Sequence, residues 1–303
     1  MDWLEITIAV DPDQVEPVAD VLRAGSQGGV SIERPIQHSD EETAFPVPGQ
    51  PALVRAYLPI DGRLASRRRA LQRALSLLRP SIHVPRARTR VVNEEGWAGS
   101  WKDHFFPERV GRLLICPAWR RCRPRPGELL IKIDPGMAFG TGQHSTTRMC
   151  LMALQERLKP GDRALDLGTG SGILAIAAAM LGARETVALD IDPVAAEIAA
   201  ENAAANAVSH LVRVGEGSLG AAWPFADDWR GSFDCVVANI ASPKIIELAR
   251  SLVEALSRRG FGVAAGIGDE RSDNCRRALE EAGARITTTM SEGDWRTLLF
   301  EAT

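Results

Sequence analysis

Cysteine is scarce in this chain, and long hydrophobic runs are missing. The 303 residues include 5 cysteines, and no two of them form a C-x-x-C pair. Scattered cysteines in odd number disfavour a metal site or a disulfide framework, so we expect reduced thiols, no metal and a cytoplasmic location. No apolar run approaches the roughly 18 residues that a membrane helix needs. The acidic first residues, Met1 to Glu5, lack the basic start of a signal peptide, so we expect neither export nor membrane contact.

Charge is distributed unevenly along the chain, although the net value is only −3. Residues 1–50 carry 2 basic and 10 acidic side chains (−8), residues 51–150 carry 19 and 7 (+12), and residues 151–303 carry 15 and 22 (−7). The basic middle block is a candidate surface for an acidic or RNA-bound partner. For the arginines between positions 67 and 73, a solvated helix face is the simpler interpretation.

The length predicts about two domains, and the first 92 residues have the pattern of a small α+β domain. Residues 4–10 alternate apolar and polar side chains, as a half-buried strand does. Predicted strands are 4–10, 30–36, 52–60 and 82–92, predicted helices are 12–24 and 64–78, and the acidic stretch 37–50 is predicted to be a loop. The order βαββαβ favours a ferredoxin-like domain over residues 1–92.

The second half of the chain alternates strands and helices. Strands are predicted near 163–167, 186–190, 210–214, 233–238, 261–265, 284–290 and 295–301, and helices near 144–158, 172–181, 193–206, 242–257 and 269–282. Repeated βα units require a mainly parallel sheet with helices on both faces, so the predicted fold class is a doubly wound, seven-stranded α/β sheet. The link 291–294 is too short for a parallel crossover, so the last strand has to run antiparallel.

The glycine-rich stretch after the strand 163–167 indicates a nucleotide-type site. Gly168, Gly170 and Gly172 precede an alanine-rich helix, and the next strand ends in Asp190. In a parallel sheet an adenosine-bearing ligand binds at this place, and the acid accepts hydrogen bonds from its ribose hydroxyls. The dinucleotide fingerprint requires a small residue where this chain has Ile173, which favours S-adenosylmethionine over NAD. An antiparallel last strand also favours a methyltransferase, and a nucleotide-dependent oxidoreductase stays open as the alternative.

Three further segments identify a family. Residues 134–147 read DPGMAFGTGQHSTT, the upstream stretch contains Trp97, Trp101 and ICPAW at 115–119, and residues 237–241 read VANIA. Together they closely resemble the PrmA family of methyltransferases, which modify the large-subunit ribosomal protein L-eleven (L11). The resemblance covers residues 94–300 and implies S-adenosylmethionine as the methyl donor. It also implies that lysine side-chain and N-terminal amines of L11 are the acceptors.

The resemblance assigns donor binding to four residues: Thr147, Gly168, Asp190 and Asn239. The backbone from Gly168 through Gly170 to Gly172 suits this role, because it lets the methionine part of the donor approach where a Cβ would block it. We expect Phe139 to cover the donor, and the alternative for this residue is a core side chain.

Asn239 is the expected catalytic residue. Methyl transfer to nitrogen is an in-line displacement in which geometry supplies much of the rate. The amine has to arrive neutral, and the carbonyl oxygens at Asn239 can accept its hydrogens and aim its lone pair at the methyl group. His104 and His144 are alternative bases, but an amine that has lost its proton to solvent needs none, and we expect His144 to begin a helix.

The predicted molecule is a methyltransferase in two parts. We expect residues 1–92 to recognise the substrate, 93–105 to form a linker helix, and 106–303 to bind the donor and transfer the methyl group. The expected partner is the ribosomal protein, without a need for direct nucleic-acid binding, and the chain is expected to be a monomer. The family usually has leucine where this chain has Ala241, so the electron-transfer flavoprotein β subunit stays open as another lysine substrate. A ribosome-associated binding module without catalysis is the remaining alternative.

Overall fold

The structure is a computed structural model that describes residues 2–303 apart from 27–29, 34–35, 41–42, 47–49, 79–83, 94–104, 137–139 and 141. It divides into two compact units, Met1–Phe105 and Phe106–Thr303. Trp97, Trp101 and His104, which belong to the predicted linker helix, lie outside the described residues. Within the described part of the chain, no helix is both long enough and apolar enough for a membrane crossing.

The first unit is built on a four-stranded antiparallel sheet. Its elements are β1 (Asp2–Val10), α1 (Val15–Gly25), β2 (Val30–Glu33), β3 (Ile36–Asp40), β4 (Thr43–Pro46), β5 (Ala52–Pro59), α2 (Leu64–Leu78) and β6 (Arg88–Asn93). The sheet order β2-β5-β1-β6 places the first and third strands of the βαββαβ pattern at the centre, which is the ferredoxin-like order. Apolar side chains of β1, α1, β5 and α2, among them Ile8, Leu22 and Val54, form one buried core.

Several bounds in this unit differ from the prediction. The acidic stretch 37–50 was expected to be a loop, but it contains most of a hairpin in which β3 and β4 pair, with Ile36 opposite Pro46. This part of the expectation is therefore wrong for the described residues 37–40 and 43–46. In addition, β2 ends at Glu33 and β6 begins only at Arg88. Pro85 lies shortly before β6, and proline lacks the N–H that a strand ladder requires.

The second unit contains a seven-stranded sheet in the order β12-β11-β10-β13-β14-β16-β15. Its elements are β7 (Glu108–Val110), β8 (Leu113–Pro117), β9 (Leu129–Ile133), α3 (Ser145–Arg157), β10 (Arg163–Leu167), α4 (Ile173–Met180), β11 (Glu185–Asp190), α5 (Pro193–Ala205), β12 (Val212–Glu216), β13 (Phe233–Asn239), α6 (Ser242–Ala255), β14 (Leu256–Gly268), α7 (Ser272–Glu281), β15 (Ala284–Glu292) and β16 (Trp295–Ala302). The last strand, β16, pairs antiparallel with both β14 and β15. The predicted doubly wound α/β fold with an antiparallel last strand is therefore confirmed.

The strand order reverses beside β10. From β10 the chain builds outward through β11 to β12, then returns to the other side of β10 to form β13. Such a reversal leaves a crevice at the carboxyl ends of the two central strands, where ligands of open α/β sheets bind. The fold therefore places a binding crevice at the ends of β10 and β13.

A separate three-stranded sheet precedes this arrangement and was not predicted. Strand β8 pairs antiparallel with β7 and parallel with β9. The connection from β8 to β9 contains no helix among the described residues, so it lacks the βα periodicity that identifies parallel strands elsewhere in the chain.

The expectation of reduced cysteines is wrong at Cys116 and Cys122. These residues form a disulfide, with Cα atoms 6.2 Å apart. A turn after β8, in which the Arg120 N–H donates to the Pro117 carbonyl over 2.9 Å, reverses the chain and returns Cys122 to the end of the strand. The other three cysteines are buried free thiols. The expectation of reduced thiols therefore fails for this one pair.

Candidate active site

The carboxyl ends of three neighbouring parallel strands bring the main predicted site residues together. Strand β10 runs into Gly168, β11 ends at Asp190, and β13 ends at Asn239. The pairing registers of β10 with β11 and of β10 with β13 place the three ends side by side. The site therefore lies at the crevice that the strand order creates.

The turn between β10 and α4 requires glycine at alternate positions. Gly168, Gly170 and Gly172 have φ angles of 72°, 54° and 83°, in the left-handed region that favours glycine. A Cβ on Gly168 would collide with the Ile240 side chain, and one on Gly172 would lie 3.1 Å from the Cα of Ala199. The turn therefore packs its backbone closely against Ile240 and Ala199 at the carboxyl end of β10.

Asp190 is held in place by the protein and is only partly buried. Its Oδ2 accepts a hydrogen bond from the Gly170 N–H over 2.9 Å, and its Oδ1 accepts from the Asp192 N–H over 3.1 Å. An ionised carboxylate has about four acceptor positions, so Asp190 can accept further hydrogen bonds from two ribose hydroxyls.

Asn239 and Thr147 meet across the crevice. The Asn239 Nδ2 donates to the Thr147 Oγ1 over 3.3 Å, and Thr147, on α3, is 1% exposed. This bond engages the amide nitrogen of Asn239 and not its Oδ1. The structure thus brings Thr147 to Asn239 as an orienting partner.

Asp166 is a site residue that the sequence analysis missed. It lies in β10 with 1% exposure, and its Oδ2 accepts from the Thr169 Oγ1 over 2.6 Å and from the Ala175 N–H over 3.0 Å. Burial, with a contribution from the charge of Asp190, raises the pKa of this carboxyl to about 7. The carboxyl ties the glycine turn to the first turn of α4. An acid in an otherwise apolar strand, just before Gly168, is its sequence signal.

The described part of segment 134–147 packs on the glycine turn. The Ser171 Oγ donates to the Gly140 carbonyl over 2.6 Å. Gly142 has a φ of 85°, and a Cβ there would lie 3.1 Å from the Ile173 side chain. Phe139, which we expect to cover the donor, lies outside the described residues.

Asn202 on α5 is a second residue that the sequence analysis missed. Its Nδ2 donates to the carbonyls of Asp134 and Ser171 over 2.9 and 2.8 Å, and its Oδ1 accepts from the Asp134 N–H over 3.0 Å. The side chain is 4% exposed. An asparagine on the buried face of an alanine-rich helix is the sequence signal for this contact.

His144 occupies the N-cap of α3, as expected for a residue that begins a helix. Its Nδ1 accepts from the Thr146 N–H over 3.3 Å and lies 2.8 Å from the Thr146 Oγ1. The ring also makes an edge contact with Trp295, with centroids 4.8 Å apart. These contacts give His144 a structural role in the unit.

The arrangement fits an adenosine-bearing sulfonium donor. The glycine turn brings backbone close to Asp190 at the carboxyl end of β10, and Asp190 provides a carboxylate that can accept from ribose hydroxyls. The buried Ile173 begins α4 at the position where a dinucleotide fingerprint requires a small residue for close packing. The residues present therefore suit S-adenosylmethionine better than a dinucleotide.

Known proteins are similar to this chain over nearly its whole length. Residues 2–303 match the family described as ribosomal protein L11 methyltransferase (PrmA). The ribosomal protein L11 methyltransferase of Chloroflexus aurantiacus is 39% identical to this chain, over 98% of this chain and 97% of its own length. The protein of the same name from Pelotomaculum thermopropionicum is 41% identical, over 97% of each chain.

A solved structure extends this similarity to three dimensions. The crystal structure of ribosomal protein L11 methylase from Lactobacillus delbrueckii subsp. bulgaricus is 34% identical to this chain, with a TM-score of 0.59, and the match covers 65% of this chain and 99% of that one. A family match over nearly the whole chain removes the oxidoreductase alternative. The chain therefore belongs to the ribosomal protein L11 methyltransferase (PrmA) family, whose members are S-adenosylmethionine-dependent protein methyltransferases.

Proposed function

We propose that this enzyme transfers methyl groups from S-adenosylmethionine to lysine side-chain and N-terminal amines of ribosomal protein L11. The observation that carries the proposal is the placement of Asp190 and Asn239 at strand ends on either side of the Gly168 turn. One residue suits the ribose of the donor, and the other suits the amine of the acceptor. Membership of a family named for L11 supports the choice of substrate.

The chain's own residues position the reactants. S-adenosylmethionine supplies an electrophilic methyl group on its sulfonium sulfur. The backbone from Gly168 to Gly172 admits the donor, Asp190 accepts hydrogen bonds from its ribose, and Thr147 orients Asn239 through the 3.3 Å bond. In an in-line displacement such positioning supplies much of the rate enhancement.

Asn239 acts on the amine that receives the methyl group. The pKa of a lysine amine in water is about 10.4 and that of an α-amine about 7.7–8.0, so the amine has to lose a proton before its lone pair can attack. The proton leaves to solvent, the Oδ1 of Asn239 accepts one of the remaining N–H groups, and the lone pair is aimed at the methyl carbon. The rate of transfer should therefore rise with pH toward the pKa of the bound amine.

The first unit supplies substrate recognition in this proposal. It has its own core of apolar side chains, and its described residues contain no glycine turn of the kind that lies between β10 and α4. We assign residues 1–92 to binding L11 and residues 106–303 to the transfer. The proposal places the enzyme in the cytoplasm as a monomer that needs no direct contact with nucleic acid.

Mass spectrometry of candidate substrates tests the function. The purified chain is incubated with S-adenosylmethionine and with either L11 or the electron-transfer flavoprotein β subunit, and an Asn239→Ala variant is the control. We expect methylated lysine and N-terminal peptides in L11 and none in the flavoprotein. Methylation of the flavoprotein alone would show that the flavoprotein, and not L11, is the substrate. If the chain bound the donor but methylated neither protein, the proposal would be contradicted.

A further inference from the structure

We propose that Asn202 is a positioning residue for the methyl donor, which sets donor affinity by fixing the backbone of Asp134 against the glycine turn. The inference rests on the proposed function for the identity of the donor. It adds a side chain that lies on α5 rather than at a strand end. It requires no contact between Asn202 and the donor itself.

Asn202 uses its whole amide group on the backbone of two other segments. Two bonds run to Asp134, which begins the family segment 134–147, and one runs to the carbonyl of Ser171 in the glycine turn. Asn202 is 4% exposed and its bond to the Ser171 carbonyl is buried, so removal of the side chain takes a partner from a buried carbonyl. Unpaired buried carbonyls are costly, and the two segments are expected to separate when the bonds are lost.

Ser171 joins the same two segments through a further hydrogen bond. Its Oγ donates to the Gly140 carbonyl over 2.6 Å, while its own carbonyl accepts from Asn202. The approach is close, because a Cβ on Gly140 would lie 2.7 Å from the Ser171 Oγ. The family segment is therefore bonded to the glycine turn near both Asp134 and Gly140.

Helix α5 connects this contact to the ribose acceptor. The helix begins at Pro193, shortly after Asp190, and Asp192 caps it by accepting from the Val194 N–H over 2.9 Å. Farther along the same helix, Ala199 packs against Gly172. Helix α5 thus begins beside the ribose acceptor, packs against the glycine turn and is hydrogen-bonded to the family segment through Asn202.

Asn206, at the C-terminal cap of α5, offers a matched control. Its Oδ1 accepts from the Lys132 N–H over 2.8 Å and its Nδ2 donates to the Lys132 carbonyl over 2.6 Å. This pair of bonds has the same chemistry as the pair between Asn202 and Asp134. Asn206→Ala removes these bonds and the bond from its Nδ2 to the Asn202 backbone carbonyl over 2.8 Å, and none of the three reaches the glycine turn.

Calorimetry with S-adenosylmethionine and S-adenosylhomocysteine, on the full-length chain, tests the inference. We expect Asn202→Ala to weaken both ligands by about 10- to 100-fold, and Asn206→Ala to change either by less than about threefold. In the ligand-free chain, hydrogen exchange at the Asp134 amide should be faster in Asn202→Ala than in wild type. Equal weakening by both variants would overturn the inference, because it would indicate a general effect on α5.

Ser171→Ala keeps the inference testable if Asn202→Ala does not fold. This variant removes only the Oγ bond to Gly140, and it should also weaken both ligands. When both variants fold, their effects should be less than additive, because the two side chains hold the same contact. The inference would be overturned if Asn202→Ala bound the donor within about threefold of wild type. If that variant does not fold, the same result in Ser171→Ala would overturn it. Failure of the wild-type chain to bind S-adenosylmethionine would instead contradict the proposed function.

Discussion

Substitution of single residues at the strand ends distinguishes donor binding from methyl transfer. Asp190→Ala tests donor binding. Asp190→Ala removes the acceptor for the ribose hydroxyls, so donor affinity should fall about 10- to 150-fold. Glu185→Ala, at the opposite end of β11, is a control that should leave donor affinity unchanged. Calorimetry that found unchanged affinity in Asp190→Ala would remove this residue from the site.

Asn239 tests the transfer step. Asn239→Ala should lower kcat on L11 by about 10- to 100-fold and alter donor affinity far less, because the lost bond aligns the amine in the transition state. Thr147→Val should have a smaller effect of the same kind, since it removes only the bond that orients the Asn239 amide. Steady-state kinetics in which only the KM for the donor changed would show that Asn239 is a donor ligand without a role in transfer.

Asp166 predicts a pH dependence of stability. Its pKa is about 7 in the folded chain against an ordinary value of 3.8, so its contribution to stability is present in full below pH 3.8 and is lost as the pH rises to about 7. Asp166→Asn has no charge to bury. As the pH rises across this range, its free energy of unfolding relative to that of wild type should therefore increase by up to about 4 kcal/mol. Denaturant titrations at about pH 4 and pH 8 measure the difference, and a constant difference would show that the carboxyl does not titrate there.

Site residues that belong to a short sequence motif could be predicted. Residues whose hydrogen-bond partners are distant in sequence could not. The glycines at 168–172 and the acid at 190 follow from spacing along the chain, and Asn239 follows from the stretch 237–241 that resembles the family. Ser171 and Asn202 act on backbone groups that are distant in sequence. Their partners become known only when α5, the glycine turn and the family segment are brought together.

At the scale of elements, local periodicity decides what could be predicted. Strand β10 has the predicted bounds, and α2 matches its predicted range, because their apolar spacing is clear. The sheet of β7, β8 and β9 was missed because β7 has 3 residues and the parallel pair β8 and β9 is not separated by a helix. Strand pairing of this kind depends on partners that the local pattern does not specify.

The disulfide beside β8 gives a prediction at this scale. In denaturant without reductant, 3 of the 5 cysteines should react with a thiol reagent, and all should react after reduction. Cys122→Ser should lower the free energy of unfolding by about 2 kcal/mol, because the disulfide closes a short loop in the unfolded chain. Reaction of every cysteine before reduction would contradict the pairing.

At the scale of the whole molecule, the two compact units differ in architecture and in what they offer a ligand. The first has an antiparallel sheet with helices α1 and α2 packed on it, and the second has the doubly wound sheet with the glycine turn and the strand-end residues. The change from βαββαβ to repeated βα units was visible in the sequence because the two patterns differ in period and order. The sequence pattern alone did not identify what the first unit binds.

In the proposed division of roles, the second unit transfers the methyl group while the first binds L11. The direct measurement compares the full chain with residues 106–303, using calorimetry for the donor and mass spectrometry for L11 methylation. The shortened chain should bind S-adenosylmethionine within about threefold of the full chain and lose most methylation of dilute L11, because docking no longer raises the effective concentration of the substrate. Full methylation of L11 by residues 106–303 would contradict the account.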